Sequence, residues 1–361
     1  MNILLFLGGL AFLIIGAEAL VRGASRLAAV FGVSPLVIGL TVVAFGTSSP
    51  EIAVSVNAAL SDQASLVMGN VVGSNIFNVL FILGVSALIA PLIVSQQLIR
   101  LEVPLMIILS VLVLLLALDG SLGRPDGLLL VIGLGLYLLL SLRASRRETP
   151  GIKAEYANEF GKEATTINNK ILNVGLVIVG LALLILGSRW LVDSAVAFAQ
   201  LLGISELVIG LTIIAAGTSL PEVVTSVIAA LRGERDIAVG NVVGSNIFNL
   251  LGVLGIASLA APTGIDVSTA VIGFDLPVMI AVALACLPIF FTGGFISRWE
   301  GGLLLGYYVA YTLYLVLAAT AHDALPRFNL IMLYFVIPLT LMTLVVVLTQ
   351  EIRRRQQPQG K

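Results

Sequence analysis

The chain has 361 residues, of which 59% are hydrophobic and 11% are charged, against about 25% charged residues in an ordinary soluble domain. This composition excludes a soluble globular protein and predicts an integral membrane protein within a lipid bilayer. The formal net charge of −1 says nothing about partners. We expect no nucleic-acid partner, and the sequence implies neither a protein partner nor a cofactor.

Eleven apolar runs predict an all-α polytopic membrane protein, because runs of this length are typical of helices that satisfy their backbone groups within one span. The first run is interpreted as a retained span and not as a signal peptide, since no basic segment precedes it. Two spans exceed the roughly 20 residues that a bilayer requires, which a broken or tilted helix would explain. These are 35–60 and 205–231. The full set is 2–22, 35–60, 66–93, 101–118, 126–142, 171–192, 205–231, 237–261, 269–291, 299–320 and 328–350.

The two halves of the chain repeat each other. The segment "GNVVGSNIFN" occurs twice without a change, 171 residues apart, which chance does not produce. Other segments match at nearly the same offset. The matching pairs are 69–78 with 240–249, "GLTVVAFGTSSPE" (39–51) with "GLTIIAAGTSLPE" (210–222), and "VPLMI" (103–107) with "LPVMI" (276–280).

The duplicated unit covers residues 1–142 and 171–320, and each copy contains five predicted spans. Because five is odd, the second copy must enter the membrane with the opposite orientation. We therefore predict two inverted five-helix repeats, a polar cytoplasmic linker at 143–170, and an eleventh transmembrane helix with a cytoplasmic tail at 321–361.

The basic residues predict the orientation of the chain. With the N-terminus outside, sixteen of the 19 Lys and Arg residues fall on the cytoplasmic side, as the positive-inside rule requires. The C-terminus is then cytoplasmic. Inverted repeats are typical of secondary transporters, which bind substrate near the midplane where interrupted helices meet.

Each copy carries a proline and a glutamate in the middle of an apolar run. Pro50 lacks the N–H that would bond to the carbonyl of Gly46, so the helix is expected to break there and expose carbonyl oxygens. The side-chain oxygens around the two breaks belong to Thr47, Ser48 and Glu51 in the first copy and to Thr218, Ser219 and Glu222 in the second.

The duplicated ten-residue motif adds Ser74 and Asn78, which lie four residues apart and so share one helix face; Ser245 and Asn249 repeat this spacing. Carboxylate, hydroxyl, amide and carbonyl oxygens without histidine or cysteine suit hard cations such as Ca²⁺. Two glutamates would neutralise one Ca²⁺ or two Na⁺. The alternative is structural: a Pro-Glu pair can start a helix, and Ser or Asn can join membrane helices.

Neighbouring polar residues have less specific interpretations. Asn75 and Asn246, which adjoin the proposed ligands, are equally suited to packing and to coordination. Glu102 and Asp275 each precede a proline by two residues and are interpreted as residues at the start of a helix.

The paired motifs, "GTSSPE" and "GTSLPE" each followed by "GNVVGSNIFN", resemble the two alpha-repeats of the cation/calcium antiporters, most closely the prokaryotic sodium/calcium exchangers. The resemblance covers about residues 1–320. It implies an antiporter in the prokaryotic inner membrane that exports cytoplasmic calcium in exchange for sodium by alternating access. It also implies that the ten side chains named above bind the ions, together with the backbone carbonyls of Ala44 and Ala215.

Other functions remain open at this point. Some potassium-dependent relatives carry Asp where this chain has Asn249, so the resemblance favours exchange without potassium. Proton/calcium antiport could use the same glutamates, since protons also neutralise carboxylates. Interrupted inverted repeats disfavour a passive cation channel. The sequence shows no pairing of a nucleophile with a general base, so an enzyme is disfavoured.

Overall fold

The computed structural model describes residues 2–31, 33–146, 167–201, 215–320 and 322–356. Almost all of these residues are helical, which confirms the predicted fold class. Within them, nine helices are long and apolar enough to cross a membrane, and a bent pair, Pro35–Thr47 with Ser49–Leu60, forms a tenth candidate span.

The first half of the chain contains eight helices, several of which are joined end to end by π-helical turns. They are α1 (Asn2–Phe31), α2 (Pro35–Ile38), α3 (Ala44–Thr47), α4 (Ser49–Leu60), α5 (Ala64–Phe77), α6 (Gly84–Ile89), α7 (Val103–Leu116) and α8 (Arg124–Arg146). The π-helical segments are Gly39–Val43, Asn78–Leu83 and Leu98–Glu102, and a 3₁₀ turn at Ala117–Asp119 ends the span that contains α7.

The second half has the same plan where it is described. Its helices are α9 (Ile167–Leu201), α10 (Ala215–Gly217), α11 (Leu220–Leu231), α12 (Arg235–Phe248), α13 (Leu254–Ala260), α14 (Leu276–Phe291), α15 (Arg298–Ala319), α16 (Leu325–Ile331) and α17 (Ile337–Gln356). Its π-helical segments are Asn249–Val253, Val271–Asp275 and Met332–Val336.

Several predicted boundaries differ from the observed ones. The first span is expected to end at residue 22, but α1 continues to Phe31, because Ala24, Leu27 and Ala28 are buried in the core and extend the packed face of the helix. Glu18 pairs with Arg22 one turn later. Glu18 also forms an ion pair with Arg232, in the connection before α12. Most of the predicted linker, and the predicted seventh span before residue 215, lie outside the described residues.

The predicted break in the second span is confirmed. Two helical segments meet there at an angle of 44°, with Ser48 between them. The helix that follows carries Pro50 in its first turn, where a missing N–H costs nothing. The excess length of the second span therefore belongs to two shorter helices.

Two short strand pairs join the copies at their connections. β1 (Leu92–Ile93) pairs antiparallel with β4 (Phe295–Ile296), and β2 (Ser121–Leu122) pairs antiparallel with β3 (Ile265–Asp266). Each pair joins the connection after the third span of one copy to the connection after the fourth span of the other. These connections reach the same membrane face only when the copies run in opposite directions, so the pairing supports the inverted arrangement.

Glycines bring the first helix of each copy into close contact. A Cβ added to Gly16 would lie 2.8 Å from the carbonyl oxygen of Gly180, and one added to Gly9 would lie 2.8 Å from that of Gly187. The order of these contacts shows that α1 and α9 pack antiparallel. Small residues permit this backbone approach between membrane helices.

The interior of the molecule is built around α12. Every residue from Ile237 to Phe248 is buried, including the polar ones. A Cβ on Gly244 would lie only 2.8 Å from the Cα of Leu40, so this glycine allows α12 to pack closely against the second span. The duplicated motif of the second copy therefore lies at the centre of the fold.

Candidate functional site

The two broken helices place both glutamates in the first turn of a new helix. Ser48 and Ser219 each have ψ near zero, at 5° and 8°, and each ends the helical path before a proline. Glu51 and Glu222 follow directly, at the N-terminal ends of α4 and α11, where the helix dipole favours negative charge.

The two copies hold each other's carboxylates. The hydroxyl of Ser48 donates to Glu222 Oε1 at 3.2 Å, and the hydroxyl of Ser219 donates to Glu51 Oε1 at 3.1 Å. Both glutamates are 1% exposed. Their second oxygens, Glu51 Oε2 and Glu222 Oε2, have no hydrogen-bond partner among the described residues.

The two equivalent serines of the duplicated motif, Ser74 and Ser245, differ in their contacts. Ser219 also reaches Ser74, with 3.2 Å between the two hydroxyl oxygens. Its counterpart Ser245 is fully buried, and its hydroxyl has no partner in the described part of the chain.

Asn78 and Asn249 each begin a π-helical segment, a feature found frequently at functional sites. Their amide nitrogens donate to asparagines of the opposite copy, to Asn246 Oδ1 at 3.0 Å and to Asn75 Oδ1 at 3.1 Å. Their own Oδ1 atoms are buried and lack a partner among the described residues. Both side chains therefore keep an acceptor oxygen available.

Asn70 and Asn241, which the motifs alone did not single out as site residues, support the helix breaks. Asn70 donates to the backbone oxygen of Glu51 at 3.3 Å and to Ser55 at 2.9 Å, and its Oδ1 accepts the hydroxyl of Thr218 at 3.3 Å. Their position in the duplicated motif was the signal that could have identified them.

Asn241 repeats these contacts in the second copy. It donates to the backbone oxygen of Glu222 at 3.4 Å and to Ser226 at 3.0 Å, and it accepts the hydroxyl of Thr47 at 3.1 Å. The protons of Thr47 and Thr218 are thus directed across the copies, and their oxygen lone pairs remain free to accept a cation.

The predicted backbone carbonyls lie at equivalent places. The oxygen of Ala44 accepts the N–H of Ser48 at 3.0 Å and lies 3.4 Å from the hydroxyl oxygen of Thr47, whose single proton is donated to the nearer Asn241 Oδ1. Ala215 begins α10, four residues before Ser219, as Ala44 lies four residues before Ser48.

Nine of the ten predicted side chains, all except Ser245, therefore take part in a hydrogen bond between the two copies. Thr218 is partly exposed, and the other nine are at most 2% exposed. Burying two negatively charged carboxylates beside acceptor oxygens that lack hydrogen-bond partners costs free energy unless a positive charge compensates them. The arrangement suits a hard cation held by oxygen atoms.

Known proteins that are similar to this chain agree with this chemistry. The family model described as "Sodium/calcium exchanger protein" matches residues 1–143 and 172–317. The chain is 35% identical over 341 residues to the sodium/calcium exchanger MaX1 of Methanosarcina acetivorans, an alignment that covers 86% of this chain and 97% of that protein. It is 42% identical over 268 residues to the inner membrane protein YrbG of Escherichia coli (strain K12), covering 73% of this chain and 81% of that protein.

A solved structure points to the same family. The sodium-calcium exchanger NCX_Mj, soaked with Na⁺ and Ca²⁺, aligns with a TM-score of 0.72 and 32% identity over 85% of this chain and 96% of that chain. Both the sequence match and the fold extend over the two copies of the repeat. The chain belongs to the sodium/calcium exchanger family, and it is a membrane transporter of ions rather than an enzyme.

Proposed function

We propose that this protein exports Ca²⁺ from the cytoplasm in exchange for Na⁺, through the site between the two copies. The reciprocal hydrogen bonds of Glu51 with Ser219 and of Glu222 with Ser48 carry this proposal. They show that each carboxylate is completed by the opposite copy, so the site depends on how the copies are placed relative to each other.

The charge of the site fits both ions. Two carboxylates would balance one Ca²⁺ or two Na⁺, and the same oxygens cannot bind calcium and sodium at the same time. Sodium would therefore displace calcium by competition. The proposed ligands are the side chains of Thr47, Ser48, Glu51, Ser74, Asn78, Thr218, Ser219, Glu222, Ser245 and Asn249, with the backbone carbonyls of Ala44 and Ala215.

The inverted arrangement supports alternating access. Two five-helix units, at 1–142 and 171–320, would contribute equivalent ligands to a site whose side chains are buried, apart from the partly exposed Thr218. The antiparallel pair α1 and α9 takes one helix from each unit, and its glycines hold the two backbones in close contact. Movement of this pair against the core around α12 would open the site to one side at a time.

The orientation follows from the basic residues. We place the N-terminus outside and the C-terminus and the 143–170 linker in the cytoplasm, in a prokaryotic inner membrane. The YrbG relative is described as an inner membrane protein, which is consistent with this location. An inward sodium gradient then drives calcium outward.

The coupling ion is tested by calcium flux into proteoliposomes under separately imposed gradients of sodium, protons or potassium. We expect calcium to move only against a sodium gradient. Movement driven by a pH gradient without sodium would establish proton/calcium antiport, and movement down the calcium gradient alone would establish a channel. Reconstituted Glu51→Gln protein provides the leak control.

A further inference from the structure

Four buried asparagines form a layer of amides that joins the two copies. They are Asn75 and Asn78 of the first copy and Asn246 and Asn249 of the second, and each is at most 2% exposed. Two methionines end this layer, Met106 in α7 and Met279 in α14, which are equivalent residues of the "VPLMI" and "LPVMI" segments.

The first chain of contacts runs from Met106 to Asn78. Asn246 Nδ2 donates to the sulfur of Met106 at 3.4 Å and to the backbone oxygen of Asn75 at 3.4 Å. Asn246 Oδ1 then accepts from Asn78 Nδ2 at 3.0 Å. Asn78 Oδ1, the last atom of the chain, has no partner among the described residues.

The second chain of contacts has the same order. Asn75 Nδ2 donates to the sulfur of Met279 at 3.6 Å and to the backbone oxygen of Asn246 at 3.4 Å. Asn75 Oδ1 accepts from Asn249 Nδ2 at 3.1 Å, which leaves Asn249 Oδ1 without a partner in the described part of the chain.

The direction of both chains is set at the methionine end. A thioether sulfur and a backbone carbonyl accept hydrogen bonds and cannot donate them. The amide end of Asn246 that faces Met106 must therefore be the nitrogen, and its oxygen must face Asn78. Asn78 can answer that oxygen only with its own nitrogen, so its oxygen is the end left for a cation.

We propose that Met106 and Met279 are positioning residues for ion binding: through Asn246 and Asn75 they orient the amide oxygens of Asn78 and Asn249 toward the transported ion. This inference rests on the proposed function, because it assigns a role within the same site. Without the sulfur, the amide hydrogens of Asn246 lose one acceptor. The reversed orientation of the amide, with its oxygen toward residue 106, then costs less free energy than it does beside the methionine sulfur. A reversed Asn78 would present N–H donors to the cation.

Packing alone makes a different prediction for the same residues. Leu for Met conserves volume in a core and usually has a small effect. Leucine lacks the sulfur acceptor, so Met106→Leu separates orientation from packing. Met68, a fully buried methionine of α5 that packs in the core outside this layer, provides the matched control.

The test measures equilibrium ⁴⁵Ca²⁺ binding by purified full-length variants whose thermal stability is monitored in parallel. We expect Met106→Leu to raise the calcium Kd about 2- to 10-fold, the effect of one hydrogen bond, while Met68→Leu leaves it unchanged. Met279→Leu should match Met106→Leu, and the double variant should show the product of the two effects. Equal Kd values for Met106→Leu and Met68→Leu would overturn the inference.

A second variant pair tests the route through Asn78. A carboxylate presents oxygen in either orientation, so in an Asn78→Asp background Met106→Leu should no longer weaken calcium binding. The same loss in both backgrounds would assign the methionine effect to packing. If Glu51→Gln abolishes calcium binding while Met106→Leu is neutral, the site stands and only the positioning role fails; if Glu51→Gln binds normally, the proposed function fails.

Discussion

Glu51 and Ser219 lie 168 residues apart in the sequence, and the serine hydroxyl donates to the carboxylate at 3.1 Å. The equivalent pair, Glu222 and Ser48, forms the same contact at 3.2 Å in the opposite direction. Neither copy of the repeat therefore holds the complete proposed site. Any change in the placement of one copy relative to the other alters both carboxylates together.

Neutralising either glutamate should abolish exchange. Glu51→Gln and Glu222→Gln keep the size of the side chain but remove a charge that balances calcium, so we expect calcium flux to fall about 100-fold or more in each. Glu102→Gln is the matched control, since Glu102 is also buried but lies at the start of α7, where it accepts from Gln97 at 3.0 Å. Near-normal flux in either site variant, measured in proteoliposomes with folded protein, would return that glutamate to a structural role.

The two serines at the helix breaks should have equal effects. Ser48→Ala and Ser219→Ala each remove the one hydrogen bond shown to a carboxylate oxygen of the opposite copy, and hydrogen bonds to charged groups are worth about 1.5–3 kcal/mol. We expect calcium affinity to fall about 10- to 100-fold in both. Ser49→Ala, which loses only a contact with the Phe45 carbonyl, should bind calcium normally. A large effect in one variant alone would contradict the equivalence of the two copies.

The asparagines that hold the helix breaks should affect stability as well as binding. Asn241→Ala leaves the Glu222 carbonyl, Ser226 and the Thr47 hydroxyl without the contacts that Asn241 provides, and each unsatisfied buried group costs about 1–3 kcal/mol. We expect a lower Tm together with weaker calcium binding. Glu222→Gln should abolish calcium binding without this loss of Tm. A normal Tm for Asn241→Ala would show that the break is stabilised by other contacts.

Transport should respond to membrane voltage and not to potassium. The family resemblance implies a cycle that carries more sodium charge inward than calcium charge outward, and each net elementary charge is worth about 2.3 kcal/mol per 100 mV. With the potential set by potassium and valinomycin, an inside-negative voltage should favour sodium entry and calcium export. Zero-potential vesicles with and without potassium provide the control. Flux that ignores voltage, or that requires potassium at zero potential, would contradict the respective claim.

The orientation can be tested separately from transport. Reporter fusions at residue 155 and at the C-terminus should both report the cytoplasmic side, because most Lys and Arg residues cluster there. A fusion placed after Asp62, in the connection between α4 and α5, should report the outer side. Reversal of all three results would invert the direction of transport that we propose.

The sequence predicted the parts of this site that depend on local chemistry. The helix break expected at Pro50 is observed, and both Pro50 and Pro221 also begin a new helix, as the structural alternative expects, because proline is tolerated in a first turn. The duplication predicts equivalent candidate ligands in both copies. The contact of Ser48 with Glu222 could not be read from either motif, because it depends on how two distant segments pack. Asn70 and Asn241 were passed over for a similar reason: their partners become visible only once α4 and α5, or α11 and α12, lie side by side.

The lengths of helices were less predictable than their positions. Hydropathy ends the first span at residue 22, whereas α1 reaches Phe31, because the packing of Gly23 against α9 and the burial of Leu27 and Ala28 stabilise turns that the apolar pattern does not mark. The π-helical turns that begin at Asn78 and Asn249 likewise have no signature in the hydrophobic period.

If sodium and calcium bind at one site, they must compete for it, and equilibrium ⁴⁵Ca²⁺ binding to the purified protein at increasing sodium concentration measures that competition. We expect a single class of calcium site. Its apparent Kd should rise steeply with sodium and not change with potassium, and calcium binding should be lost in the Glu51→Gln and Glu222→Gln variants. Calcium binding that persists unchanged at saturating sodium, or that survives the loss of both glutamates, would contradict the account.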